Sequence, residues 1–288
     1  YTAAAARLGV SKAAMSQRIA ELERAAKVTL VQRTTRSLRL TEAGQRLVDD
    51  TRASFEQIEQ SFSQVRDLAA QPGGLIRVTA PVALARQQLV PLFADFLKDF
   101  PEVRIELDMS DRLSPLATEG FDLAIRHTAR PPDTHVAWAL CDTQSVLVAT
   151  RAYLRRRGEP QTPADLQAHN CLHYPRSQET PAWTFEPRDP QRGSERITVP
   201  VSGNFSANNS EALREAALTG AGIALMPDFS AQAALRQGKL VPVLPDWKPV
   251  GAFAETIYAI RPYAPHVPRA VTALVERLRQ DLASGFGI

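Results

Sequence analysis

The chain has 288 residues, 44% of them hydrophobic and 23% charged, with a formal net charge of +3. That length and apolar content exclude intrinsic disorder and favour more than one packed core. Apolar runs such as Leu89 to Phe93 are cut by Pro or charge well short of a bilayer-spanning length, and the first residues lack an export signal, so a cytoplasmic protein with no membrane partner is expected. Cys141 and Cys171 are too few to staple a chain this long, and they fit a reducing compartment.

Charge sits unevenly. Tyr1 to Arg46 carries nine Lys or Arg against three acids, a local +6, which leaves 25 basic and 28 acidic residues downstream, a local −3. A basic head on a nearly neutral body reads as a polyanion-binding segment, with a solvated basic surface as the plain alternative. Thr2 to Ser11 reads as a short helix, a turn at Gly9 and a Ser11 N-cap, and the next helix runs from Lys12 to Ala26. On it Met15, Ile19, Leu22 and Ala26 recur three and four apart as a core stripe, while Lys12, Ala13, Ser16, Gln17 and Arg18 fall on other faces. The second helix of a helix-turn-helix fits the major groove of duplex DNA. Ser11 and Ala13 are small enough there for close approach, and Lys12, Ser16, Gln17 and Arg18 offer hydrogen bonds to base edges or phosphates. Leu30 to Leu40 reads as a hairpin wing with Arg33, Thr34 and Arg36 near its tip, where they would meet phosphates or the minor groove.

From Glu42 to Ala70 no Pro occurs, and one helix of roughly 40 Å is expected at 1.5 Å per residue. Two interleaved seven-residue series, Val48, Phe55, Phe62, Ala69 and Thr51, Ile58, Val65, form a coiled-coil seam that suits a homodimer. Gln71-Pro72-Gly73-Gly74 is a linker. Beyond it short apolar strands alternate with amphipathic helices, the pattern of parallel α/β structure. Strands are expected at Leu75 to Ala80, Val103 to Met109, Leu123 to Arg126, Val136 to Cys141, Val146 to Ala149, Cys171 to Tyr174, Ile197 to Gly203, Ile223 to Met226, Leu240 to Val243 and Thr256 to Ile260. Helices are expected at Leu84 to Phe100, Ser210 to Thr219, Asp228 to Gln237 and Arg269 to Leu282.

Ala4-Ala5, Arg7-Leu8, Ser11, Ser16, Ile19, Leu22-Glu23, Leu30, Arg33, Arg36, Leu40-Thr41 and Ala43-Gly44 together resemble the N-terminal signature of LysR-type transcriptional regulators. Leu75 to Thr79, Phe100-Pro101, Ser110 to Arg112, Gly120 to Arg126, His169 to Leu172 and Gly220 to Pro227 are similar to that family's sensor domain, so the resemblance spans the chain. Ala13 stands where the family often has Pro, Lys27 where it often has Gly, and Val31 where it often has Phe; a Lys in a left-handed cap carries strain.

The resemblance implies a winged helix-turn-helix head over residues 1–41, its first helix preceding Tyr1. A linker helix over 42–71 follows, then a two-lobed α/β sensor over 75–288 resembling the periplasmic binding proteins. Lobe one is expected over about 75–142 with 255–288 and lobe two over about 143–254, with crossovers near Asp142 to Ser145 and Pro249 to Thr256. The family also implies a tetramer, and RNA polymerase is a further candidate partner.

Parallel sheets bind ligands outside the carboxyl ends of their strands. The candidate effector-binding residues are therefore Thr79, Ala80, Pro81, Val82, Ser110, Asp111 and Arg126 in one lobe, with His127 beside them, and Phe205, Ser206, Asn208 and Asn209 in the other. Arg126 could clamp a carboxylate while Phe205 stacks on a ring, which suggests a small aromatic or carboxylate-bearing effector; alternatively Arg126 pairs structurally with an acid such as Asp122.

No cofactor or metal is expected. His169, Cys171 and His173 lack a fourth ligand, and no electropositive pocket marks either cysteine as a redox switch. Gly220-Ala-Gly222 precedes its strand and so is no dinucleotide fingerprint, and no hydrolase elbow or P-loop occurs, so no enzyme is expected. A two-lobed solute-binding protein is the competing reading, and it leaves the basic head unexplained.

Overall fold

The computed structural model describes residues 10–33, 38–66, 71–111, 120–175, 181–189, 196–264 and 266–287. The helix expected over Thr2 to Ala6, the Gly9 turn, Thr34 and Arg36 of the wing tip, and the end of the long helix at 67–70 lie outside them. The chain divides into two compact units, Tyr1–Val65 and Arg66–Ile288.

In the first unit, helix α1 (Lys12–Ala26) starts where the Ser11 side chain accepts the Ala14 N–H at 3.1 Å. It ends at Lys27, which takes the left-handed conformation (φ 54°, ψ 29°). Strands β1 (Val31–Arg33) and β2 (Leu38–Leu40) pair antiparallel, Val31 opposite Leu40 and Arg33 opposite Leu38. The Glu23 carboxylate accepts the N–H groups of Leu30 (2.8 Å) and Val31 (3.0 Å), tying α1 to the wing. Thr41 then joins the wing to helix α2 (Glu42–Arg66): its hydroxyl accepts the Gly44 N–H at 3.0 Å and donates to the Thr29 carbonyl at 2.7 Å. Gly44 lies against the Leu30 carbonyl, where a Cβ would sit 2.1 Å from the oxygen.

One expectation fails here. Only Met15 of the α1 stripe is buried; Ile19 is half-buried, Leu22 is 46% exposed and Ala26 is exposed. Among the described residues Met15 and Leu30 are the buried hydrophobics of this unit.

The second unit has two lobes. Lobe one is a five-stranded sheet ordered β4-β3-β5-β14-β6, formed by β3 (Gly74–Ala80), β4 (Val103–Met109), β5 (Leu123–His127), β6 (His135–Asp142) and β14 (Thr256–Pro262). β3 runs parallel to β4 and β5, but β14 is antiparallel to both β5 and β6, so the sheet is mixed and not wholly parallel as expected. The reason is connectivity: β6 follows β5 directly and β14 returns from the other lobe. Against the sheet pack α3 (Val82–Leu84), a π-helical turn (Ala85–Leu89), α4 (Val90–Asp99) and α8 (Arg269–Asp281), burying Leu84, Leu89, Phe96, Leu274 and Leu278. The helix expected at Leu84 to Phe100 thus begins at Val82 and is broken by the π turn.

Lobe two pairs a four-stranded sheet, ordered β12-β7-β11-β8, with a three-stranded one, ordered β10-β9-β13. Its strands are β7 (Ser145–Ala149), β8 (Cys171–Leu172), β9 (Ala182–Pro187), β10 (Ile197–Pro200), β11 (Ile223–Pro227), β12 (Val241–Pro242) and β13 (Trp247–Val250). β8, β10 and β12 are shorter than expected. Helices α5 (Arg151–Arg157), α6 (Ser210–Leu218) and α7 (Asp228–Arg236) and a 3-10 turn (Pro163–Ala168) complete it. The expectations omitted β9, β13 and α5. Pro181, Pro187 and Pro249 punctuate the two strands, and proline demotes a strand pattern.

Candidate functional site

On α1, Lys12, Ala13, Gln17 and Arg18 are exposed and Ser16 is half-buried. Gln17 donates to Glu21 at 3.0 Å, one turn along. Ser11 is both cap and exposed residue, so it fixes the start of the helix at the surface where Lys12 and Ala13 stand. On α2, Phe55, Ile58 and Val65 are 65%, 63% and 66% exposed, an apolar stripe left open among the described residues.

In the second unit the expected strand-end residues do converge. The Arg126 guanidinium, almost wholly buried at the end of β5, donates from Nη2 to the Thr79 hydroxyl at 3.0 Å and from Nη1 toward the Ser110 carbonyl at 3.5 Å. The Ser110 N–H donates to the Ala80 carbonyl at 2.9 Å, closing the ring of neighbours, and Pro81 and Val82 follow half-buried. Asp122 clips β5 to β3, its carboxylate accepting the Arg77 N–H at 2.7 Å. The other lobe faces this edge: Asn209 caps α6 and donates from Nδ2 to the Asp111 carboxylate, joining the two walls. Phe205, Ser206 and Asn208 precede it exposed, and Ser206 pairs with His173 in an isolated parallel bridge.

Further polar joints connect the lobes, and another braces the crossover within lobe two. Glu211, at the start of α6, accepts Arg86 Nη1 (2.8 Å) and Gln87 Nε2 (3.0 Å) from the π turn, together with Arg214 Nη2 (2.7 Å) from its own helix. Gln88 donates to the Phe229 carbonyl at 3.0 Å and to Gln232 at 3.2 Å. At the crossover, buried Asp228 accepts the Thr143 hydroxyl and the Gln144 N–H, while its own N–H donates to the Gln144 carbonyl at 2.9 Å. Burial pushes the Asp228 carboxyl up, and the hydrogen bonds it accepts partly offset this.

A cavity of about 300 Å³ that spacing alone did not reveal opens beside the second crossover, lined by His173, Tyr174, Ala182, Trp183, Leu225 and Phe253 among others. Tyr174 meets Phe253 edge-on with ring centres 5.1 Å apart, and Phe253 stacks on His127 of lobe one at 6.1 Å. His127 donates from Nε2 to the Ala254 carbonyl, and burial holds its imidazole below the ordinary range. Burial pushes the Tyr174 phenol up to about 12.

Both cysteines are buried, and their thiols are pushed up to about 12 by the same cause, leaving little reactive thiolate at neutral pH. Among the described residues no three His, Cys, Asp or Glu side chains are grouped to hold a metal, and no helix is long and apolar enough to cross a membrane. His169 is held by the Tyr153 hydroxyl (3.2 Å), while His173 Nδ1 lies 3.0 Å from the Cys171 carbonyl oxygen.

A family model described as the LysR substrate binding domain matches residues 69–283, and one for the bacterial regulatory helix-turn-helix of the lysR family matches residues 1–45. The chain is 36% identical over 284 residues to the HTH-type transcriptional regulator PtxR of Pseudomonas aeruginosa, covering 98% of this chain and 88% of that one. It is 31% identical over 248 residues to the HTH-type transcriptional activator TtdR of Escherichia coli, covering 86% and 78%. Among solved structures, the full-length Vibrio cholerae virulence activator AphB superposes with a TM-score of 0.68 at 27% identity, covering 96% of this chain and 92% of that one.

Proposed function

The chain belongs to the LysR family of transcriptional regulators, with a DNA-binding head and an effector-binding body, and from that premise we propose how its parts divide the work. Residues 1–41 read duplex DNA, residues 42–71 pair two chains, and residues 75–288 hold the effector between lobes 75–142 with 255–288 and 143–254. The protein acts in the cytoplasm, as a sensor without turnover. A tetramer and contact with RNA polymerase complete the assembly.

The observation that carries the DNA reading is the capped helix α1. Lys12, Ala13, Gln17 and Arg18 stand exposed on an element that Glu23 fixes to the wing and Thr41 links to the long helix. Two such helices, paired through Phe55, Ile58 and Val65, match a pseudo-palindromic site. Arg33 of the wing, with Thr34 and Arg36, would hold phosphates. The strand-end residues Thr79 to Val82, Ser110, Asp111 and Arg126 would form one wall of the effector site, and Phe205, Ser206 and Asn208 the other.

Selection of bound duplexes from a random pool with the full chain tests the reading. A defined sequence should emerge. Arg18→Ala should weaken its binding by about 1–3 kcal/mol where Arg18 reads a base, or lower the salt slope by about one where it holds a phosphate. Equal binding of selected and random duplexes at all salt concentrations would sink it.

A further inference from the structure

Arg126, the one cation expected to recognise an effector carboxylate, is already engaged with Thr79 and Ser110 and almost wholly buried. The cavity at the second crossover offers different chemistry. Its described walls are the rings of His173, Tyr174, Trp183 and Phe253 and the aliphatic surfaces of Leu225, Ala182 and Ala252, with no Asp, Glu, Lys or Arg among them. His173, the one titratable ring in the wall besides Tyr174, has Nδ1 beside the Cys171 carbonyl. About 300 Å³ is room for one or two fused rings, since a 150 Å³ apolar cavity already takes benzene. A carboxylate placed there would lose its hydration with no Lys or Arg among these described walls to replace it.

The cavity also touches the machinery that joins the lobes. Phe253 forms one wall, stacks on His127 of lobe one, and precedes Ala254, whose carbonyl accepts the His127 Nε2–H. Anything that shifts Phe253 therefore acts on the crossover 251–255 and on the end of β5.

We infer that this cavity takes an uncharged aromatic molecule of one or two rings, and that its occupancy is relayed to lobe closure through Phe253 and His127. The inference rests on the reading of the body as an effector sensor and names the class of effector and the compartment that holds it.

Indole, benzamide and benzoate are titrated into the full-length protein by calorimetry and by tryptophan fluorescence. Indole and benzamide bind with a saturable change in emission that Trp183→Phe removes. Benzoate binds at least about tenfold more weakly than benzamide, its neutral counterpart, a difference of about 1.4 kcal/mol. Ala252→Leu, at a half-buried position, fills the cavity and abolishes binding while leaving the unfolding transition in place. Ala182→Phe does the same from the opposite strand and serves if the first variant does not fold. Phe253→Leu, which removes one wall and the stack on His127, weakens binding of the neutral rings, and the binding that remains no longer changes DNA affinity.

The inference is overturned if benzoate binds as tightly as benzamide, if neither neutral ring binds up to about 1 mM, the weak end of specific affinity, or if a folded cavity-filling variant binds as before. A carboxylate that binds tightly and changes DNA affinity would overturn the ligand class and leave the regulator reading intact; loss of sequence-selective DNA binding would strike that reading alone.

Discussion

Removal of the Glu211 carboxylate should cost the body about 2–3 kcal/mol. Its side chain is 11% exposed and accepts from Arg86, Gln87 and Arg214, whose side-chain exposures differ widely: 65% for Arg86 and 12% for Arg214. Breaking a buried pair by deleting one partner costs about 3–5 kcal/mol. That figure is reduced here because Arg214 also holds Glu215 at 2.7 Å, so its guanidinium keeps one carboxylate. The exposed Arg86 pair adds only a few tenths after screening. Gln87 loses about 1 kcal/mol with its bond, and its Oε1 is already buried without a partner among the described residues. Urea unfolding of the full-length protein measures the sum, read on the body's transition. Glu211→Gln keeps the shape and one acceptor, and should cost about half as much. A loss below about 0.5 kcal/mol in Glu211→Ala, the range of exposed pairs, would refute the reasoning, as would a glutamine variant worse than the alanine one.

Gly44→Ala should destabilise the head by about 1–3 kcal/mol or more, since its Cβ meets the Leu30 carbonyl oxygen at 2.1 Å and backbone must move; calorimetric melting with an unchanged head transition would contradict this. Lys27→Gly should stabilise it by about 0.5–1 kcal/mol: left-handed strain of about 1–2 kcal/mol is relieved and glycine's unfolded-state entropy takes part of it back. A lowered melting temperature would show that Lys27 contributes more than its strain costs. His127 and His169 are both held below the ordinary imidazole range by burial, so the unfolded chain binds more protons as pH falls. Their contribution is whole above about pH 6.5 and is lost as pH drops toward their folded values, so denaturation midpoints should fall across that window. Replacing both by Phe should flatten this slope relative to wild type; an unchanged slope rejects it.

How legible these features were depended on how local their causes are. The Ser11 cap acts within three residues of its helix start and so leaves a mark in the sequence, whereas Glu23, Thr41 and Gly44 entered only through the family resemblance and their clip, cap and close approach were shown by the structure. Lobe-one strands such as Val103–Met109 were read to their ends because turn residues bound them. The π turn at Ala85–Leu89 left no mark, since its composition suits an ordinary helix. The strand β9 does alternate, with Trp183 and Phe185 buried, but its flanking prolines concealed the pattern. The aromatic cavity was the least legible of all. Tyr174, Trp183 and Phe253 belong to three separate segments, and only tertiary folding brings them together. Arg126 was found from its strand-end position, yet sequence could not say whether it was free for a ligand or tied to Thr79.

If a bound effector moves the lobes, the joints between them set the energy it must supply. Within each lobe the core is apolar, but the links at Glu211, Gln88 and Asp111 are polar side-chain bonds that water can replace, each worth about 1 kcal/mol net. The exceptions are the stack of Phe253 on His127 and the side chain of Phe229. Phe229 begins α7 of lobe two yet packs into the core of lobe one, against His127 and Phe286 with ring centres 5.6 Å away in each case. Exposing it would cost about 1.5–3 kcal/mol. Closure is thus held by a few weak polar bonds and two aromatic contacts, a total of a few kcal/mol. A ligand at a hundred times its dissociation constant supplies about 2.7 kcal/mol, the same order. The lobes are therefore poised within reach of one bound effector, and Phe229→Ala should shift that balance further than loss of any single polar link.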